Sequence, residues 1–81
     1  MKIRAMEARR AVYRRLYELR VESPGLYFGP SDLAEVAAEP GLSAALAFGL
    51  EMGHLDKRRG HYGLTAIGML FTEKEGYVEV E

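Results

Sequence analysis

The sequence predicts a small α+β domain that is mostly α-helical and carries one β-hairpin before its last helix. Two observations lead to this fold class. Apolar residues recur with helical spacing through residues 3–21. The stretch 43–71 has the pattern of a helix, a two-stranded hairpin with a basic tip, and a second helix. Because 81 residues is the size of one domain, we expect residues 1–81 to form a single folded unit.

The composition excludes several classes of protein. No run of about 18 apolar residues predicts a membrane span, and no signal peptide is visible at the N-terminus. Cysteine is absent, which excludes disulfides and thiolate chemistry and fits a cytoplasmic location. Asparagine and glutamine are also absent, as in proteins from hot habitats, where deamidation is selected against. Genomic base composition explains the same absence equally well.

Charge is strongly segregated although the net charge is only -1. The first twenty residues hold seven Lys or Arg and two Glu, whereas residues 21–53 hold five acidic residues and no Lys or Arg. A second basic group, Lys57 to Arg59, lies at the predicted hairpin tip. A polyanion would therefore contact the first helix and the hairpin, not the middle of the chain.

The first predicted helix covers residues 3–21, and seven apolar residues share one of its sides. These are Ala5, Met6, Ala8, Val12, Tyr13, Leu16 and Leu19. Arg9 and Arg20 fall inside the same sector. We expect them at its rim, with packed stems and guanidinium groups in water. The alternative is that they contact a partner or a phosphate.

Turn and cap residues divide the middle of the chain. Residues 23–25 end the first helix, and 26–28 predict a short strand. Ser31 or Asp32 is the expected cap of a short second helix, in which Leu33, Val36 and Ala37 face inward. Residues 39–41 stop that helix. Ser43 is the expected cap of a third helix that ends at Gly53.

The hairpin follows, with Arg59-Gly60 as a two-residue turn. This turn fixes the register and predicts the pairs Arg58 with His61, Lys57 with Tyr62, Asp56 with Gly63, and Leu55 with Leu64. Thr65 is the expected cap of the last helix, and Gly76 is expected to end it. The period-two stretch 77–81 predicts either an edge strand or a frayed tail.

This order of elements resembles the winged helix-turn-helix family of bacterial and archaeal regulators. The most specific stretch is Tyr62-Gly63-Leu64-Thr65-Ala66-Ile67-Gly68, which is similar to the end of the wing in MarR-like and PadR-like repressors. Ser31-Asp32-Leu33-Ala34 and Gly53-His54-Leu55 resemble the start of their second helix and the end of their recognition helix. The resemblance implies a three-helix core, a short strand, a β-hairpin wing and a C-terminal helix.

The resemblance also implies that the third helix enters the major groove of DNA while the wing contacts the backbone. The matching groove positions are Ser43, Ala44, Ala45, Ala47, Phe48 and Glu51. Arg, Lys, Asn and Gln read base edges, and this helix has none of them. We therefore expect phosphate contacts from the first helix and the wing: Arg4, Arg10, Arg14, Arg15, Lys57, Arg58, Arg59, His61 and Tyr62. For each patch the alternative is an ordinary solvated surface.

The third helix is apolar on almost every side, which usually means that every side is buried. One stripe of this helix, formed by Ala45, Phe48, Gly49 and Met52, is predicted to contact a second copy of the chain. The alternative is that the first and last helices cover it within one chain.

These patterns predict a non-catalytic, DNA-associated transcriptional regulator that forms a homodimer and binds double-stranded DNA. The alternative is a protein-interaction or dimerisation module that does not bind DNA. We expect no enzyme, cofactor, metal or small-molecule ligand, because the sequence has no catalytic set, phosphate-binding loop or metal-ligand spacing. His54 and His61 are too far apart along the hairpin to share a metal and are expected at the surface.

Overall fold

The computed structural model describes residues 5–36 and 40–80. These residues form a small, mostly helical α+β domain, as the sequence predicts. The elements are α1 (Ala5–Glu22), a 3-10 turn (Ala34–Val36), α2 (Leu42–Glu51), β1 (Leu55–Arg58), β2 (His61–Leu64) and α3 (Ala66–Lys74). Within the described ranges, no helix combines the length and the apolar character needed to cross a membrane.

The core is built around α1, which packs against α2, α3 and β2. Five of the predicted inward residues are buried: Ala8, Val12, Tyr13, Leu16 and Leu19. The prediction is wrong for Met6, which is 67% exposed because it lies at the edge of the apolar sector of the helix. The side chain of Ala5 is outside the described residues.

Two arginines of α1 are used inside the fold. The guanidinium carbon of Arg9 lies 3.8 Å from the ring centre of Phe48, and its Nε is buried with no hydrogen-bond partner. Nη1 of Arg20 donates to the carbonyl oxygen of Leu64 at 2.6 Å. Both arginines remain partly exposed, so they lie at the rim of the apolar sector as predicted, but stacking on a ring and a bond to a carbonyl hold part of each guanidinium group against the fold.

The segment after α1 is less regular than predicted. Residue 28 alone represents the expected strand: Phe28 exchanges two backbone hydrogen bonds of 2.8 Å with Tyr62 of β2. The expected second helix appears as the 3-10 turn, and residues 37–39 are outside the described chain. The predicted cap by Ser31 or Asp32 is not confirmed, because Oδ2 of Asp32 accepts from the amide of Gly29, three residues earlier, at 3.2 Å, whereas a helix cap accepts from a following amide. Leu33 and Val36 are buried as expected.

The predicted third helix is α2, and its cap position, Gly41, lies two residues before the expected Ser43. Gly41, with a φ of 87°, precedes it and provides no side-chain cap, so the prediction of a Ser43 cap is wrong. Ala45 and Gly49 are buried inside the single chain. A β-carbon at Gly49 would lie only 2.5 Å from Cδ1 of Leu55, so the glycine allows β1 to approach the helix.

This packing corrects two of the predicted partner contacts. Ala45 and Gly49 are covered by this chain itself, so neither is accessible to a second copy. The other two predicted contacts differ. Phe48 is half-buried beneath Arg9, and Met52 remains 54% exposed beyond the end of α2.

The hairpin has the predicted register at all four pairs, from Leu55 with Leu64 to Arg58 with His61. Its base is attached to the core through Thr65. The Thr65 hydroxyl accepts from the amide of Gly68 at 3.0 Å, which confirms the predicted cap of α3, and it donates to the carbonyl of Gly53 at 2.6 Å. The hairpin, the end of α2 and the start of α3 therefore meet at one side chain.

The segment after α3 returns to the core. Gly76 has a φ of 73° and follows the last residues of α3, as predicted. Tyr77 is buried, and its amide donates to the carbonyl of Thr72 at 3.0 Å. Both predicted alternatives for this stretch are wrong at Tyr77, which is neither in a strand nor frayed, because its ring packs on Tyr13 and Phe71. Residue 81 is outside the described chain.

Candidate nucleic-acid interface

The tip of the hairpin presents a compact basic surface, formed by Lys57, Arg58, Arg59 and His61, which we call the basic tip. All four residues are exposed. Arg58 faces His61 across the hairpin, and Lys57 faces Tyr62. Since neighbouring residues of a strand point to opposite faces, Lys57 and Arg58 extend to different sides of the hairpin. The tip can therefore contact an anionic surface from either face.

Arg58 is held in place by the residues beside it. Its guanidinium carbon lies 4.9 Å from the ring centre of Tyr27, and its Nε lies 3.8 Å from Oδ2 of Asp56. The Tyr27 hydroxyl donates to the same carboxylate oxygen. This hydrogen bond lowers the pKa of Asp56 and raises the pKa of Tyr27. Asp56 is therefore ionised at neutral pH and orients Arg58, although it also offsets part of the positive charge.

The opposite face of the hairpin is built on Tyr62. Nζ of Lys57 lies 5.4 Å from the centre of the Tyr62 ring. The backbone of Tyr62 pairs with that of Phe28. Tyr62 is half-buried and therefore supports the hairpin from beneath. His61 packs closely on the backbone of Gly29, since a β-carbon there would lie 2.7 Å from the His61 Nε2. Tyr62 and the contact of His61 with Gly29 therefore hold the hairpin against the rest of the domain.

The turn itself contains an unusual backbone conformation. Arg59 has a φ of 51° and Gly60 a φ of 78°, and Arg59 is the one described residue other than glycine with a positive φ. Two consecutive positive φ values define the type I′ turn, for which Asn-Gly is the preferred pair. Arginine at the first position is strained by roughly 1 kcal/mol. The fold therefore places a positively charged arginine at the apex of the turn in a backbone conformation that arginine disfavours.

The arginines of α1 point in different directions around the helix. Nε of Arg15 donates to the carbonyl of Asp32 at 3.2 Å and lies 4.0 Å from Glu35. The guanidinium carbon of Arg10 lies 5.8 Å from the ring centre of Tyr77. At 100° per residue, Arg10 and Arg15 point about 140° apart around the helix. The predicted helix-one patch is thus divided between two flanks.

Arg14 lies between those flanks and is exposed. Arg10 is exposed as well, although its guanidinium group lies near the ring of Tyr77. In the described structure, these two arginines are the exposed part of the predicted helix-one patch. Arg4 is outside the described residues.

The outer face of α2 carries none of the four residue types, Arg, Lys, Asn and Gln, that make paired hydrogen bonds to purine edges. Four of the six expected groove positions, Ser43, Ala44, Ala47 and Glu51, are exposed. Ala45 is buried, so its expected groove position is wrong, and Phe48 is half-buried against Arg9. The exposed positions offer small side chains and one carboxylate, which cannot make the paired hydrogen bonds that distinguish base pairs in the major groove.

Sequence reasoning missed a buried aromatic cluster beneath α2. His54 is 3% exposed, so the expectation that it lies at the surface is wrong. Its ring stacks on Phe71, with centroids 4.2 Å apart, and its Nδ1 lies 2.7 Å from the Tyr13 hydroxyl. Phe48 and Tyr77 complete the cluster. The sequence did contain a signal for a buried polar partner, because Tyr13 was predicted on the apolar side of the first helix and a buried tyrosine hydroxyl needs a hydrogen-bond partner.

Burial sets the ionisation of this cluster. It lowers the pKa of His54, and the charge of Arg9 lowers it further, so the imidazole is neutral at pH 7. Burial also raises the pKa of Tyr13 to about 12. These two groups therefore serve packing and hydrogen bonding within the core. Among residues 5–36 and 40–80, no three potential metal ligands are grouped together.

Comparison of the chain with protein-family models, curated proteins and solved structures gives no match. Geometry and charge are therefore what bears on function here.

Proposed function

We propose that the chain is a non-catalytic winged-helix domain that binds the phosphates of double-stranded DNA through its basic tip and acts in transcriptional regulation. The order of elements supports this fold, with α2 as the third helix, the hairpin as the wing, and α3 as the helix after it. The bridge between Phe28 and Tyr62 supplies the short third strand beside the wing.

One observation carries the DNA proposal: Arg59 occupies a left-handed turn position that favours Asn or Gly. Strained backbone persists where the rest of the fold enforces it, and it is concentrated at functional sites. Arg59 sits at the farthest point of the hairpin, between Lys57, Arg58 and His61. Such an apex fits the groove edge of a duplex, where cations meet phosphates on both strands.

The mode of binding follows from the missing base contacts on α2. Phosphate contacts give affinity and orientation without sequence information. Binding is therefore electrostatic, weakly dependent on sequence and strongly dependent on salt. Arg14, together with Arg10, is the second point of phosphate contact, on the outer side of α1.

Titration of labelled duplex DNA at about 50 mM and about 200 mM salt tests this proposal. Lys57→Ser should weaken binding and reduce the slope of log K against log salt by about 0.9, the value for one lost phosphate contact. Lys74→Ser is the matched control, because it removes the same charge from the exposed end of α3, and the titration is run at protein concentrations at which the chain is monomeric. Arg14→Ser reports separately on α1.

The proposal is contradicted if the wild-type chain does not bind duplex DNA at the lower salt concentration. Equal losses for Lys57→Ser and Lys74→Ser would also contradict it, because they would show attraction to overall charge and not to the basic tip.

The second candidate function is a protein-interaction module that does not bind DNA. It is favoured by the large apolar side chains exposed at the junction of α2 and α3. Normal self-association with no DNA binding at low salt would support this function in place of the first.

A further inference from the structure

Three large apolar side chains are exposed where α2 meets α3. Met52 is 54% exposed, Ile67 is 61% exposed and Leu70 is 66% exposed. The 2.6 Å hydrogen bond from the Thr65 hydroxyl to the carbonyl of Gly53 fixes the end of α2 beside the start of α3. Met52 and Ile67 each lie within two residues of that bond, and Leu70 follows Ile67 by one turn on the same side of α3. We call these three residues the junction patch.

The surroundings of the junction patch are also apolar. The half-buried rings of Phe48 and Phe71, with centroids 6.3 Å apart, lie between the two helices. Ala44 and Ala47 are exposed on α2, as are Ser43 and Glu51. Large exposed apolar side chains grouped on adjoining segments favour protein association.

One carboxylate and one ammonium group flank the junction patch. Glu51 ends α2 next to Met52, and Lys74 ends α3, about 12 Å along the helix from Ala66. Both are exposed, and no ion pair involving either is found in the described structure. Opposite charges at opposite ends of an apolar stripe suit an antiparallel copy of the same stripe.

Two-fold symmetry makes this arrangement self-complementary. An axis between Ile67 and Leu70 places Ile67 of each copy against Leu70 of the other, as an isologous interface requires. In that register, Lys74 of each copy lies beside the residues that precede α3 in the other copy. Glu51 of that other copy, at the end of α2, is then its nearest carboxylate. Each copy then supplies both partners of the ion pair.

We infer that the chain forms a symmetric homodimer in which α3 packs antiparallel on α3 of a second copy through the junction patch. Specific interfaces commonly bury about a tenth of a small protein's surface, which for 5527 Å² is roughly 550 Å² per copy. The total, ~1,100 Å², is at the lower end for specific interfaces, so the dimer should be weak and dependent on concentration.

Sedimentation equilibrium without DNA, from micromolar to millimolar protein, tests the dimer. Wild type should shift from monomer to dimer mass, and Ile67→Asp should raise the dissociation constant at least about tenfold. The matched controls are Val21→Ser and Leu26→Ser, each of which removes an apolar side chain that is 60% exposed elsewhere. They should leave the mass curve unchanged, and thermal unfolding verifies that every variant is folded.

A charge exchange tests the orientation. Lys74→Glu should weaken the dimer, and adding Glu51→Lys should restore it, since the ion pair is then reversed. A strict monomer at millimolar protein would overturn the inference and leave the patch to a different protein. A dimer that Ile67→Asp does not affect, or that the charge exchange fails to restore, would overturn it as well.

Discussion

The hydroxyl of Tyr13 and Nδ1 of His54 lie 2.7 Å apart in the core, although 41 residues separate them in the chain. Because its pKa is raised to about 12, the Tyr13 hydroxyl keeps its proton at neutral pH. The tautomer of the neutral imidazole decides which of the two groups donates. This one bond joins α1 to the residue that begins the hairpin, while Phe71 covers the imidazole by stacking.

Removal of the Tyr13 hydroxyl should be costly. We expect Tyr13→Phe to lower the free energy of unfolding by about 1–3 kcal/mol, because it leaves a buried nitrogen of His54 unsatisfied. Tyr17→Phe is the matched control, since its hydroxyl donates to Glu73 at 2.6 Å in a partly buried position. Urea denaturation of both variants checks the order. A larger loss for Tyr17→Phe would contradict the central role of the buried pair.

Stability should fall in mild acid because of His54. The folded chain holds the pKa of His54 below its ordinary 6.5, so the unfolded chain takes up a proton first as the pH falls. The contribution of His54 is therefore complete above pH 6.5 and is lost below it, with a slope of up to about 1.4 kcal/mol per pH unit. Urea denaturation at a series of pH values between 5 and 8 measures this slope.

Two substitutions show which histidine is responsible. His54→Gln should flatten the dependence on pH, although it lowers stability overall. His61→Gln changes an exposed ring on the hairpin and should leave the dependence as in wild type. A wild-type slope that persists in His54→Gln would show that other groups cause it.

The positive φ of Arg59 leads us to expect that replacing it raises the stability of the fold and weakens DNA binding. We expect Arg59→Asn to stabilise the fold by about 0.5–1 kcal/mol, because Asn tolerates a positive φ, and to weaken DNA binding. Arg58→Asn is the control: it removes the same charge from a regular strand position, so it should weaken binding without that gain. Thermal unfolding and DNA titration of the same samples compare the two variants. Tighter DNA binding by Arg59→Asn would contradict the role of the basic tip.

Two glycines should resist substitution although alanine favours helices. Gly49→Ala should lower the free energy of unfolding by about 1–2 kcal/mol, because the added carbon meets the buried side chain of Leu55. Gly68→Ala should cost about 3 kcal/mol, since the carbon would overlap the carbonyl oxygen of His54, which cannot rotate away. Ala47→Gly at an exposed site of α2 should cost about 1 kcal/mol from helix propensity alone. Equal stabilities of Gly49→Ala and wild type would contradict the close packing described for α2.

Local signals were sufficient for the hairpin and the last helix. The pair Arg59-Gly60 fixes a two-residue turn, and that turn fixes the register of every pair down to Leu55 with Leu64. Thr65 likewise caps α3 through a contact three residues away. Such features depend on neighbours in the chain, so the sequence contains nearly all the information they need.

Features that depend on distant residues were not predicted. Burial of His54 requires Tyr13, Phe48 and Phe71 to converge from three helices, and nothing in the hairpin indicates this. Arg20 looks like a surface charge until the carbonyl of Leu64 is placed beside it. For the candidate interface, the sequence predicted the basic tip but could not show that Arg15 contacts Asp32 and Glu35 while Arg10 lies near Tyr77.

The bond from Thr65 to the end of α2 has a mechanical consequence for the hairpin. The base of the hairpin is attached to the core, and His61 lies against Gly29. The backbone of the hairpin therefore has little conformational entropy left to lose when it binds another molecule. Most of the ordering entropy was already lost during folding, so more of the Coulomb attraction remains as net affinity. On the proposed function, we therefore expect the basic tip to bind DNA more tightly than a flexible segment of equal charge.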